Sequence, residues 1–243
     1  MAAYEDASKW NCKNCVRGTE GTQFIREFSR ALSSVRWFVA LNIRDKSIIL
    51  SFRGSTQNDI GTFITDLNFE FKQWPPNVPA SKVHEGFIES MLKGILPAMT
   101  TVKEQLAAHP DFKITIVGHS LGGAQSVLAA TYICVYSPHW KSRLRVFTYG
   151  EPRVGNLVFA QYYDSLGIPT QRVVNRNDIV ARAPPKALGY RHHGSEVWLR
   201  ASDGLAIYCP GQLPLESKEC SDGVETLKYS MTDHFNYLGA TSR

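Results

Sequence analysis

Residues Gly118-His119-Ser120-Leu121-Gly122-Gly123 lie between an apolar run, Lys113-Ile114-Thr115-Ile116-Val117, and a helical stretch that opens at Leu121. No other feature constrains the fold as tightly. A strand that passes directly into a helix must turn sharply, and a serine at the apex is forced toward a backbone conformation that side chains rarely adopt. Small neighbours are then required, and Gly118 and Gly122 let strand and helix pack closely. The Ser120 hydroxyl is thereby presented above a sheet, at the positive end of a helix. The expectation is an α/β fold with Ser120 as a nucleophile.

The remaining hydrophobic pattern agrees. Arg36 to Ile43 and Ser47 to Phe52, joined by Arg44-Asp45-Lys46, predict a β-hairpin. From Asp111 onward strands and helices alternate. Strand Lys113 to Val117 is followed by a helix from Leu121 to about Tyr136, a strand from Leu144 to Tyr149, a helix around Val158 to Leu166 and a strand from Gln171 to Val174. That order predicts crossover units on a largely parallel sheet. Strand-like pieces follow at Glu196 to Leu199 and Ala206 to Cys209, with His192 and His193 in an expected hairpin. A long helical segment is expected from about Phe87 to Ala108, kinked or broken at Pro97. No repeat interrupts the pattern, and 243 residues suit one domain, 1–243.

Composition excludes several classes. No apolar run approaches the roughly 18 residues of a membrane helix, so no transmembrane segment is expected. The net charge of +5 is spread among alternating basic and acidic residues, which reads as a solvated surface and not a nucleic-acid site. The polar start, Met1 to Asp6, lacks the apolar centre of a signal peptide, so a signal was either removed or never present. Cys12-Lys13-Asn14-Cys15, Cys209 with Cys220, and a lone Cys134 suggest two short-loop disulfides and one buried thiol, hence an oxidising compartment. A redox CxxC lacks its strand-to-helix setting here. A zinc site lacks a second ligand pair.

A serine hydroxyl needs a base to take its proton and an acid to orient that base. Asp178 follows the strand ending near Val174, and carboxyl ends of parallel strands are where such sheets build sites. Asp164 lies inside a helix, and Asp203 and Asp222 precede glycines in turns. His234, in the final segment, completes the order Ser, Asp, His. His192 and His193 remain alternatives as base. A developing oxyanion needs donors fixed in advance: the Leu121 backbone N–H, and Ser55 in the loop Phe52-Arg53-Gly54-Ser55. Such acyl transfer requires neither metal nor cofactor.

With these residues in view, the chain resembles the α/β-hydrolase fold and, within it, the class 3 fungal lipases of the Rhizomucor and Rhizopus type. The resemblance is carried by Trp10 to Cys15, Phe52 to Ser55, Lys82-Val83-His84-Glu85-Gly86-Phe87, Gly118 to Gly123 and Pro152-Arg153-Val154-Gly155. Gly167-Ile168-Pro169, Asn177-Asp178-Ile179-Val180, the Cys209 to Cys220 loop and Asp233-His234 continue it. It implies Ser120, Asp178 and His234 as a triad, Ser55 and Leu121 as the oxyanion hole, and disulfides Cys12 to Cys15 and Cys209 to Cys220. It also implies Asp66 as an acid holding the Ser55 hydroxyl, His84 at the pocket edge, and a helical lid at about 56–68. By the same resemblance, the N-terminal helix that precedes the CxxC segment in those lipases is expected to be missing from this sequence.

Within the lid stretch Ile60, Phe63, Ile64 and Leu67 fall on one helical face, with Asn58, Asp59, Thr62 and Asp66 elsewhere. A plain core-facing helix would show the same pattern. The resemblance therefore implies a secreted, monomeric triacylglycerol lipase that acts on esters at an oil-water interface. A feruloyl or other phenolic-acid esterase, a phospholipase and a silent binding protein of the same fold are the rival readings.

Overall fold

A computed structural model of the chain describes residues 7–10, 15, 19–29, 36–55, 60, 68–211, 213 and 216–241. Its central sheet contains eight strands in the order β1-β2-β3-β6-β7-β9-β11-β12. Strands β1 (Thr22–Ser29), β2 (Arg36–Asn42) and β3 (Ser47–Phe52) are antiparallel. Strands β6 (Lys113–His119), β7 (Leu144–Tyr149), β9 (Thr170–Asn175) and β11 (Glu196–Leu199) continue in parallel from β3. Strand β12 (Ala206–Cys209) closes the far edge antiparallel to β11. The hairpin and the alternating strand and helix order match the sequence pattern. Strand β1 does not show in it, because five of its eight residues are polar and a register shift between Phe24 and Arg26 breaks its alternation.

A second, four-stranded sheet is invisible to periodicity, since its strands have only two or three residues. It runs β10-β8-β5-β4, with β4 (Phe71–Gln73), β5 (Lys82–His84), β8 (Gly155–Asn156) and β10 (Tyr190–Arg191). Here the structure corrects one expectation. His192 and His193 lie in no hairpin, because β10 pairs with β8, more than thirty residues earlier.

Helix α1 (Glu85–Leu92) and helix α2 (Ile95–Ala108) correct another. The break falls at Lys93-Gly94 and not at Pro97. Pro97 stands in the first turn of α2, where its missing N–H would have no partner in any case. Helix α3 (Leu121–Tyr136) is buried at every position from Gly122 to Thr131. Its Gly122, Gly123, Ala124, Ala129 and Ala130 allow it to lie close on β3, β6 and β7, with α1 against its other side. One large polar side chain is enclosed there and fully used: Gln125 accepts from the Trp37 indole N–H at 3.2 Å and donates to Ser90 Oγ at 2.6 Å. On the opposite face of the sheet Phe38 and Ala40 pack with Ala7, Trp10 and Cys15. Helix α4 (Leu157–Ser165) is capped by Asn156, which accepts the Phe159 N–H, and α5 (Met231–His234) by Ser230. No described helix is long and apolar enough to cross a membrane.

The segment after β12 is tied down twice. Cys209 and Cys220 form a disulfide. Buried Arg153 then grips Glu216 with two parallel bonds, Nε to Oε1 at 2.8 Å and Nη2 to Oε2 at 2.6 Å, while its Nη1 donates to the carbonyls of Arg182 and Pro184. Burial alone would push the Glu216 carboxyl up, but the hydrogen bond and charge of Arg153 prevail and hold it below the ordinary carboxylate value of 4.5. A folded-state pKa below the unfolded one adds stability that is complete above pH 4.5 and lost as the pH falls below it. Glu216→Ala removes the bidentate partner of a buried guanidinium and leaves it the more distant Asp222, at 3.6 Å, and two carbonyls. It is expected to lower the free energy of urea unfolding at pH 7 by about 3–5 kcal/mol and to flatten its decline in acid. A loss at pH 7 below about 1 kcal/mol would mark the pair as a surface-like bridge.

Candidate active site

Ser120 has φ 58° and ψ −131°, a positive-φ conformation that a residue with a side chain adopts only when its surroundings enforce it. The enforcement is steric. A Cβ on Gly118 would stand 2.0 Å from the Gly122 carbonyl oxygen, and a Cβ on Gly122 would stand 2.2 Å from the Phe52 carbonyl oxygen. The carboxyl end of β3 thus rests directly on the first turn of α3. Register places Phe52 beside Gly118. That contact brings Arg53, two residues before Ser55, to the helix N-terminus, where the Leu121 N–H has no intrahelical partner. Ser55 is buried at 5% exposure and Ser120 is fully enclosed.

The candidate acid and base arrive from elements distant in sequence. Asp178 follows β9 and forms an isolated bridge with Ser230, just before α5. His234 ends α5, and its Nδ1 lies 3.0 and 2.9 Å from the two Asp178 oxygens. Asp178 is fully buried, yet each oxygen has further donors: Oδ1 accepts from the Val180 N–H at 2.8 Å, and Oδ2 from the Tyr237 hydroxyl at 2.5 Å. Burial pushes the Asp178 carboxyl up, but the His234 charge and bond and the Tyr237 hydroxyl more than offset it and leave it below its usual value. The carboxylate is therefore ionised, and a proton on His234 Nδ1 faces it. The other ring nitrogen is then an acceptor. Among the described residues, His234 Nε2 and Ser120 Oγ are buried polar atoms without a hydrogen-bond partner.

The turn after β7 fits around this pair. Gly150 has φ +57°, and a Cβ there would stand 2.6 Å from Asp178 Oδ2 and 2.9 Å from His234 Nδ1. Ser120 N–H donates to the Tyr149 carbonyl at 2.9 Å, so the Ser120 backbone and the Asp178–His234 pair share one support.

His192 and His193, the alternatives as base, are engaged elsewhere. His192 Nε2 donates to the Ala181 carbonyl at 2.8 Å, and His193 Nε2 bonds to Glu151 Oε1 at 2.9 Å. His84 is buried, stacked on Phe87 at 3.9 Å, and burial pulls its pKa down to about 4. Ile60 is buried at 2% exposure, while Phe63, Ile64, Asp66 and Leu67 lie outside the described residues. Cys15 is disulfide-bonded, and its expected partner Cys12 also lies outside them. Cys134 is free, its thiol pushed up by burial. Sequence reading missed Tyr237 and Asn175. The Asn175 N–H donates to the Tyr237 hydroxyl at 3.0 Å, and the Asn175 amide to the carbonyls of Asp233 and Asn236 at 3.0 and 2.6 Å. No motif marks these contacts, which join residues about sixty positions apart.

Comparison with known proteins agrees with this fold. A lipase from Rhizopus niveus is 37% identical over 232 residues, which is 95% of this chain and 58% of the relative, so the chain spans less than two thirds of that protein's length. The solved structure of lipase II from Rhizopus niveus shares the fold with a TM-score of 0.91 at 36% identity, covering 99% of this chain and 91% of that one. A triacylglycerol lipase whose catalytic centre is a serine protease triad matches with a TM-score of 0.87 at 34% identity, covering 100% of this chain and 89% of that one. Residues 49–188 match the family Lipase (class 3). With its α/β-hydrolase fold, the chain belongs to the class 3 lipases.

Proposed function

We propose that the protein hydrolyses acylglycerol esters by a two-step acyl transfer at Ser120. The observation that supports this best is the buried Asp178–His234 pair, with contacts of 2.9 and 3.0 Å, set beside a serine held at φ 58°. In the first step His234 Nε2 takes the Ser120 proton as Oγ attacks the ester carbonyl, and Asp178 stabilises the imidazolium that forms. The oxyanion is met by the Leu121 N–H and by Ser55, through its N–H and hydroxyl. Collapse returns the proton to the leaving alcohol. Water, deprotonated in turn by His234, then releases the acid. In this reading Asp66 orients the Ser55 hydroxyl and His84 borders the acyl site.

An oil-water interface is the proposed place of work. Ile60, Phe63, Ile64 and Leu67 share one face of a helical pattern just after Ser55, and Ile60 is buried. Fully burying each such side chain is worth roughly 1.5 to 3 kcal/mol, so a lid built from them stays shut in water and opens against an apolar phase. Secretion and a monomeric state belong to the same reading, and the Cys209–Cys220 disulfide supports an oxidising compartment.

Ser120→Ala and His234→Ala are each expected to cut turnover of p-nitrophenyl butyrate by roughly 100-fold or more while leaving the circular dichroism spectrum unchanged. Retention of more than about a tenth of the wild-type rate by His234→Ala would move the base elsewhere. Ser55→Ala is expected to slow kcat by roughly 10- to 1,000-fold, as for one lost oxyanion donor. A wild-type kcat there would leave only the backbone N–H in that role.

The substrate class is tested by assaying tributyrin and p-nitrophenyl esters of increasing length beside methyl ferulate. Preference for the ferulate would replace the lipase reading with a phenolic-acid esterase. Activity on tributyrin is expected to jump at its solubility limit, and Phe63→Asp to blunt the jump while sparing soluble ester. A smooth curve through that limit, identical in both proteins, would remove the lid from the account.

A further inference from the structure

His119 ends β6 one residue before Ser120, yet its side chain reaches the C-terminal segment. Its Nε2 lies 2.7 Å from the backbone carbonyl oxygen of His234. A carbonyl can only accept, so that nitrogen bears a proton and donates. The two imidazoles stack with centroids 4.5 Å apart and planes at 28°, and Tyr237 meets the His119 ring edge-on at 5.5 Å. Helix α5 is a single turn, so its last carbonyls have no partners within it. Asn175 takes that of Asp233, together with that of Asn236 beyond the helix, and His119 takes that of His234.

We propose that His119 is a positioning residue for the base: its Nε2–H holds the His234 carbonyl and its ring backs the His234 imidazole. With the ring held in that way, Nδ1 of His234 keeps its bond to Asp178 and Nε2 is left open for the Ser120 proton. This rests on the reading of Ser120, Asp178 and His234 as the catalytic trio. A one-turn helix cannot hold its own last residue, and a misplacement of about 1 Å at a reacting group costs on the order of 100-fold in rate. Burial keeps the His119 ring neutral, well below the ordinary histidine range. The facing His234 lowers it further, while Asp178 acts in the opposite sense. Tyr237 and Tyr149, the other titratable groups beside it, are pushed up by burial and are neutral too. A neutral ring can support the imidazolium that forms during turnover, where a cation in that place would oppose it.

The test compares wild type with His119→Phe, which keeps a ring but has no N–H, and with His119→Gln, whose amide can reach the carbonyl. Turnover of p-nitrophenyl butyrate is measured per active site titrated with a phosphonate. His119→Phe is expected to lower kcat by about 10- to 100-fold with KM nearly unchanged, and His119→Gln to recover much of the loss. A second readout needs no turnover: the downfield proton resonance of His234 Nδ1–H in a Ser120→Ala background. It is expected to shift or broaden with His119→Phe and to return with His119→Gln. Should His119→Phe fail to fold, His119→Asn, too short to reach the carbonyl, replaces it. A wild-type kcat per titrated site together with an unmoved resonance overturns the proposal, whatever happens to the yield of folded protein. A resonance that moves in a protein found inactive on every ester supports the tie to His234 and counts against the ester-hydrolase reading alone.

Discussion

Two backbone contacts with no space for a methyl group set the rest of the structure. Gly118 meets the carbonyl of Gly122, and Gly122 meets the carbonyl of Phe52. Together they press the end of β3, the end of β6 and the start of α3 into one junction. The strained conformation of Ser120 is the consequence, since a strand and a helix that close cannot be joined by relaxed backbone. The cost of that strain, of order 1–3 kcal/mol, is offset by the apolar burial of α3, whose residues from Gly122 to Thr131 are all enclosed. Folding and the placing of the Ser120 hydroxyl at this junction are thus the same event.

The buried polar groups around this junction follow one electrostatic rule. A carboxylate without water needs several donors, and Asp178 has them in the Val180 N–H, the Tyr237 hydroxyl and the His234 ring. Arg153 and Glu216 repeat the pattern behind the site, where each group's bonds also tie down a loop. The atoms left without partners among the described residues include Ser120 Oγ and His234 Nε2, the two that the proposed reaction uses. Full satisfaction on one side of the imidazole and none on the other gives the ring a direction.

Legibility in the sequence tracked the distance over which each feature is determined. The elbow, the β2–β3 hairpin and the alternating strands and helices depend on neighbours within a few residues, and all were readable. The break before α2 falls at Lys93-Gly94 and not at Pro97, because a proline in a first turn lacks only an N–H that would have no partner. The second sheet escaped because two-residue strands such as β8 and β10 have no period. His192 and His193 could not be told from His234 by type. Their bonds to Ala181 and Glu151 appear only after the chain has folded.

What the sequence determined by itself is therefore the local chemistry: a serine between glycines on a strand-to-helix turn, an acid after a strand, and a histidine near the end. Sequence decides these because steric limits on a turn and hydrophobic period act between adjacent residues. Only the tertiary structure decided which side chains hold that chemistry in place. Tyr237 on Asp178, Asn175 on the carbonyls around His234, and His119 behind its ring are contacts between segments 59, 58 and 115 residues apart. No local rule can specify them, because a hydrogen-bond partner is chosen by proximity in the folded core, and that proximity is set by how the carboxyl ends of β6 and β9 meet the last turn.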